Sequence, residues 1–288
     1  MNLDHPYPTL ISTDWLEKNY TAPNLRIFDC TVWLKPKRNK IYEIFSGKSD
    51  YDKEHIPNSD FLDVLELSDK RCEYDFMMPS VDDFSNFMSS KGVGPGIHVI
   101  LYSRGNIQWA TRLWWMLKSV NFLNVSILNG GFEKWKLENK LVTSEIVTYV
   151  KNTFKGHFQQ GFFCDKDEVL SSIDNKEILL INALRHTLHI GSENINYGRP
   201  GHIKNSINIP STDMTNENSQ IYKSIKELKK VFNAYDIFKK EKIITYCGGG
   251  IAATNIAFAI NMLGYKKVTV YDASLNEWSQ DKALPLEL

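Results

Sequence analysis

The sequence predicts an α/β protein built as two copies of one unit, each a parallel sheet flanked by helices. Three observations carry this reading. Short apolar runs alternate with helical segments along the chain, and five landmarks occur twice in the same order. In addition, a β-branched run ends at Tyr246 in a glycine-rich turn that opens a helix.

The landmarks can be followed in order. Leu25-Arg26-Ile27-Phe28-Asp29 answers to Ile178-Leu179-Leu180-Ile181-Asn182, an apolar strand ending in a short polar residue. His55-Ile56-Pro57-Asn58-Ser59 answers to His202-Ile203-Lys204-Asn205-Ser206. His98 to Ser103 answers to Lys242 to Cys247, which sets Ser103 against Cys247. Ala110-Thr111-Arg112 matches Ala253-Thr254-Asn255 on the following helix, and the run from Val125 to Trp135 matches that from Val268 to Trp278. The polar stretch from about Thr143 to Phe163 lacks periodicity and contains Gly156 and Gly161, so it reads as the connection. The expected division is a first domain over residues 1–142, a linker over 143–157 and a second domain over 158–288.

Composition narrows the function. The 288 residues carry 34 Lys and Arg against 34 Asp and Glu, with no long run of either sign, so no global field would recruit nucleic acid or anionic lipid. Residues 1–13 show neither a basic nor an apolar leader region, and no apolar run approaches membrane-spanning length. Cys30, Cys72, Cys164 and Cys247 lie far apart, without the paired spacing of zinc sites. The expectation is a cytoplasmic protein with no membrane or nucleic-acid partner and no metal.

The chemistry concentrates at Cys247. Parallel-sheet α/β folds bind ligands beyond the carboxyl ends of strands, which is where this cysteine falls. Gly248, Gly249 and Gly250, followed by Ile251 and Ala252, can aim successive main-chain N–H groups at one point, with a helix N-terminus behind them. Such a cradle favours a negatively charged sulfur, the species that attacks in thiol chemistry. The alternative is a small buried hydrophobe at a strand end; three consecutive glycines are more than a mere strand end requires.

The order of landmarks, the tandem arrangement, the string RPGHIKNSINIP from Arg199 to Pro210 and the CGGGIAAT loop resemble the two-domain rhodanese-family sulfurtransferases over nearly the whole length. The resemblance implies two similar rhodanese-like domains, of which the first, with Ser103, is inactive and the second is catalytic. It implies transfer of a sulfane sulfur from thiosulfate to a thiophilic acceptor such as cyanide or a thiol, through a persulfide on Cys247. The alternative donor is 3-mercaptopyruvate, and an alternative of another class is a non-catalytic persulfide carrier or binding module. The partners implied are a small sulfur-donor anion and a small thiol, cyanide or thioredoxin-like acceptor, with no cofactor.

The carry-over is uneven among the remaining residues. Thiosulfate-preferring members place a basic residue where Gly249 stands. Mercaptopyruvate-preferring members show a Cys-Gly-x-Gly pattern, which Cys247 to Gly250 resembles, but Phe76 stands at their relay histidine although Asp63 is available. The usual substrate arginine aligns with Leu188, leaving Arg185, His189 and Arg199 as candidates for substrate binding. His55 and His202 recur in both halves and are expected to bond backbone; Asp272, set against Asn129, is expected to support the turn. Trp114, Trp115, Trp135 and Trp278 read as packing. The related cysteine phosphatases hold phosphate with an arginine six positions past the cysteine; Ala253 there argues against that chemistry.

Overall fold

The computed structural model describes residues 8–38 and 40–288; the first seven residues of the stretch inspected for a leader lie outside the described residues. The strands of the first half are β1 (Leu10–Ile11), β2 (Leu25–Asp29), β3 (Val32–Lys37), β4 (Lys40–Ser46), β5 (Ser59–Phe61), β6 (His98–Tyr102) and β7 (Val125–Leu128). The second half supplies β8 (Phe163–Cys164), β9 (Ile178–Asn182), β10 (His202–Ile203), β11 (Ile207–Asn208), β12 (Lys242–Tyr246), β13 (Val268–Tyr271) and β14 (Leu286–Glu287). The sheets run β1-β7-β6-β2-β5 and β8-β13-β12-β9-β11, parallel at every pairing. The order is the same once the landmarks are superposed, so both copies share one topology. The central strands β6 and β7 are buried at every residue, as a sheet covered by helices on both faces requires.

The recurring strings have a common structural reason. In each sheet the tyrosine ending the central strand turns its hydroxyl to the repeated His-Ile-x-Asn-Ser turn. Tyr102 Oη meets Ser59 Oγ at 2.9 Å and receives the Ile56 N–H at 3.4 Å. Tyr246 Oη meets Ser206 Oγ at 2.6 Å and receives the Ile203 N–H at 3.0 Å. Asn58 and Asn205 between them adopt left-handed backbone, φ 60° and 62°, which asparagine tolerates better than most residues. His55 and His202 serve the backbone: their Nδ1 atoms bond the carbonyls of Tyr51 at 2.7 Å and His189 at 2.8 Å.

The two units meet along the helices Gln108–Ser119 and Ile251–Met262, and one apolar cluster contains residues of both. Equivalent threonines face each other there, Thr111 Oγ1 and Thr254 Oγ1 at 3.0 Å, and Trp114 stands edge-on to Phe258 at 4.9 Å. Each unit also sends a segment onto the other. The Met78 N–H donates to Asp272 Oδ2 at 2.9 Å, and the Tyr222 N–H donates to Asn129 Oδ1 at 2.9 Å.

The polar connecting stretch is a strap laid along the first unit. The Asn152 N–H donates to Ser89 O at 3.0 Å and the His157 N–H to Val120 O at 2.9 Å, while Phe154 is buried in the core. Polar composition marked its lack of regular structure, and main-chain bonding accounts for its order. The hairpin of β3 and β4 lies outside both main sheets and has no counterpart in the second half among the described residues.

Candidate active site

Cys247 follows directly on β12, and the helix Ser274–Trp278 fixes the turn from behind. The Cys247 N–H donates to Ser274 Oγ at 3.0 Å; its carbonyl accepts from the Leu275 N–H at 3.1 Å, and the Gly248 carbonyl accepts from the Asn276 N–H at 2.8 Å. Gly250 has φ 74°, and a Cβ there would lie 2.6 Å from the Asp272 carbonyl oxygen, so this position needs glycine on two counts. Among the described residues, the N–H groups of Gly248, Gly249, Gly250, Ile251 and Ala252 donate to no protein acceptor. An anion beside Cys247 would find donors in these five amides and in the N-terminus of the helix Ile251–Met262.

The loop lines a cleft of roughly 770 Å³ between the two units. Its floor includes Cys247, Gly248, Gly249, Ile251 and Ala252, and its walls include Trp33 and Tyr42 of the β3–β4 hairpin, Phe76, Trp109 and Tyr197. Cys247 is itself 2% exposed, so a donor must enter the cleft to reach it. Tyr197 lies on the Gly248 backbone: a Cβ on Gly248 would stand 2.1 Å from the phenol oxygen. Tyr42 and Tyr197 have ring centroids 6.3 Å apart. Burial pushes Tyr42 up to about 12 and Tyr197 well above the ordinary phenol range. Both remain protonated hydrogen-bond donors near the sulfur.

This packing yields a test of the floor. Gly248→Ala is expected to push Tyr197 aside and to lower kcat/KM by about 10-fold or more, the scale on which small misplacements act at a reacting centre. Circular dichroism would verify the fold, and an unchanged kcat/KM would show that the Tyr197–Gly248 contact is dispensable.

The candidate binding residues separate. Arg185 lines the cleft, whereas His189 and Arg199 are not among its lining residues. Arg199 donates to the carbonyls of Ser279, Trp278, Asp281 and Leu284 at 3.1, 3.2, 2.6 and 2.9 Å, which ties down the end of the chain. His189 stacks on His202 with centroids 3.7 Å apart. Burial, aided by the neighbouring histidines, lowers its pKa to about 4, so the ring is neutral near pH 7. Phe76 packs edge-on against Trp109 with ring centroids 5.3 Å apart, and Asp63 caps the helix Val64–Leu67. Sequence reasoning missed Tyr42 and Tyr197. Tyr42 lies on the unrepeated hairpin, so comparing the halves could not find it, while the absence of a side chain at Gly248 is the trace left by Tyr197.

The equivalent loop of the first unit is filled from within. Ser103 Oγ donates to Asn106 O at 2.7 Å, and the N–H groups of Arg104, Gly105 and Gln108 donate to Thr31 Oγ1, Glu133 Oε1 and Asn106 Oδ1 at 3.0, 2.8 and 3.0 Å. Arg104, the counterpart of Gly248, donates from Nε to Asp29 Oδ2 at 3.1 Å, whereas in the second unit Tyr197 packs against the bare Gly248 backbone. Among the described residues no group of three His, Cys, Asp or Glu side chains is placed to hold a metal ion.

Comparison with known proteins agrees with this geometry. The sequence matches the description Rhodanese-like domain over residues 12–138 and again over 165–281. It is 30% identical over 281 residues to the thiosulfate sulfurtransferase of Cricetulus griseus, covering 94% of this chain and 92% of that protein. It is 28% identical over 281 residues to the 3-mercaptopyruvate sulfurtransferase of Mus musculus, with the same coverages of 94% and 92%. Among solved structures, SseA from Escherichia coli, described as a 3-mercaptopyruvate sulfotransferase with the rhodanese fold, superposes with a TM-score of 0.81 at 26% identity, covering 93% of this chain and 99% of that one. With both halves matched and the relatives spanned nearly end to end, this chain belongs to the rhodanese family, as a tandem of two rhodanese-like domains.

Proposed function

We propose that this protein is a sulfurtransferase that carries a sulfane sulfur on Cys247. The observation that supports it most is the set of five amides at residues 248–252, with no protein acceptor, directly after the cysteine that lines the cleft. In the first half-reaction the Cys247 thiolate attacks the outer sulfur of thiosulfate; a new S–S bond forms, and the donor S–S bond breaks with its electron pair leaving on sulfite. With 3-mercaptopyruvate the donor C–S bond breaks instead, and the thiol proton ends on carbon, giving pyruvate. The persulfide anion is held by the amides as an oxyanion is held in acyl transfer, where removing one such donor costs about 3 kcal/mol in barrier. In the second half-reaction cyanide, a small thiol or a thioredoxin-like protein takes the outer sulfur and releases the Cys247 thiolate.

The relatives and the neighbouring structure carry names of both donor types, and Gly249 supplies no charge that would favour the thiosulfate dianion. We therefore propose a small anionic donor, with thiosulfate and 3-mercaptopyruvate as the two to compare. A cytoplasmic site of action is proposed from the four unpaired cysteines; no helix among the described residues is long and apolar enough to cross a membrane. Intact-mass measurement after exposure to each donor tests the reading. The expected result is a gain of one sulfur, mapped to Cys247 and lost on adding cyanide; a chain that gains none from either donor is a binding module.

A further inference from the structure

The cleft contains three cationic side chains among its described lining residues, and each already has an anionic partner. Lys37 pairs with Glu43 at 2.6 Å, and Arg104 is held by Asp29 at 3.1 Å beneath the first-domain loop. The third is Arg185, three residues beyond β9, whose last residue Asn182 pairs in register with Tyr246 just before the nucleophile. Its guanidinium forks onto Glu193: Nε meets Oε1 at 2.5 Å, and the second nitrogen meets Oε2. Thr187 Oγ1 also donates to this carboxylate.

The arrangement has the geometry of bidentate arginine recognition of a planar carboxylate, with the carboxylate supplied by the chain itself. Both residues line the cleft, and both side chains reach solvent, at 59% and 26% exposure, so the pair can open without unfolding anything around it. Its hydrogen bonds to Arg185 and Thr187 hold Glu193 below the ordinary carboxylate range, so it stays ionised and keeps its hold at neutral pH. Tyr197 packs on the Gly248 backbone beside Cys247 and lines the same cleft as Arg185 and Glu193, which connects the pair to the reacting centre.

We infer that Glu193 occupies the carboxylate seat of the active site, and that a donor bearing a carboxylate binds by displacing it from Arg185. This rests on the sulfurtransferase reading and adds to it the donor class, a monocarboxylate, and a residue that sets its affinity. Glu193 acts as an internal competitor: the apparent affinity of the donor is its intrinsic affinity multiplied by the fraction of molecules in which Arg185 is free.

The test uses pyruvate as a non-reacting carboxylate probe, titrated calorimetrically into the full chain carrying Cys247→Ser, so that binding is read without sulfur transfer. Adding Glu193→Gln is expected to tighten pyruvate binding about three- to fivefold, the scale of a solvent-accessible ion pair acting as competitor. Adding Arg185→Gln as well is expected to remove the whole gain. A Glu193→Gln variant that binds pyruvate equally or more weakly would overturn the proposal, because Glu193 would then be orienting Arg185. A gain that survives Arg185→Gln would overturn it too, since it would reflect the lost negative charge alone. Sulfur loading of the wild-type chain is measured separately, so a failure there refutes the transfer reading, whereas the calorimetry judges the seat.

Discussion

Cys247→Ser abolishes sulfur transfer from either donor while the protein stays folded. The expected loss is complete to background because the hydroxyl that replaces the thiol provides no thiolate and cannot carry a sulfane sulfur. The fold should tolerate the exchange, because the side chains are near in shape and the turn is held by main-chain bonds from Ser274, Leu275 and Asn276. The unfolding free energy should fall by less than about 2 kcal/mol, the scale of placing one hydroxyl in a mostly apolar setting. Turnover and a urea titration check the two halves of this expectation, and residual turnover at the wild-type rate would place the nucleophile elsewhere. Adding Ser103→Cys to that variant should restore nothing. The Ser103 side chain lies against the Asn106 carbonyl, and the surrounding amides are already spent on Thr31, Glu133 and Asn106.

That contrast between two copies of one loop shows what the sequence could and could not say. Duplication was legible because strands repeat their apolar runs and their closing polar residues; the matched sheet orders follow from it. The turn after Cys247 was legible because glycine is a positive signal, marking where backbone must approach something closely or adopt left-handed angles, as Gly250 does. Charge partners were not legible. Arg199 and Arg185 are the same residue type on neighbouring stretches, yet one is bound to four carbonyls and the other opens on the cleft. Which of two arginines is tied down depends on what else lies within a few ångströms, and the carbonyls that hold Arg199 come from a segment about 80 residues away in the chain. The roof of the site was hidden for the same reason, since Tyr42 comes from the other domain to line the cleft that holds Cys247.

Asp272→Ala is expected to cost about 3–5 kcal/mol of stability, the penalty for stranding one member of a buried ion pair. Asp272 Oδ1 lies 2.5 Å from the Arg112 guanidinium, and Arg112 is fully buried, so the cation left behind has no route to water. The pair also joins the domains at the catalytic turn. Asp272 Oδ2 accepts the Met78 N–H, while Arg112 reaches the carbonyls of Gly250 at 3.4 Å and of Phe76. Losing it should therefore loosen Gly250, and with it the amides of residues 248–252, so kcat/KM should fall even in the molecules that remain folded. Asp272→Asn separates the two effects. The equivalent residue of the first unit is already an asparagine, Asn129, and it accepts the Tyr222 N–H at 2.9 Å without any charge. The amide should thus keep the bond to Met78 while giving up the ion pair, and its cost should fall between wild type and alanine. Urea midpoints for the two variants, read beside kcat/KM, decide the matter. If alanine and asparagine are equally harmless, the buried pair contributes nothing to joining the domains, and the cradle must be held by its glycines and the Ser274 turn alone.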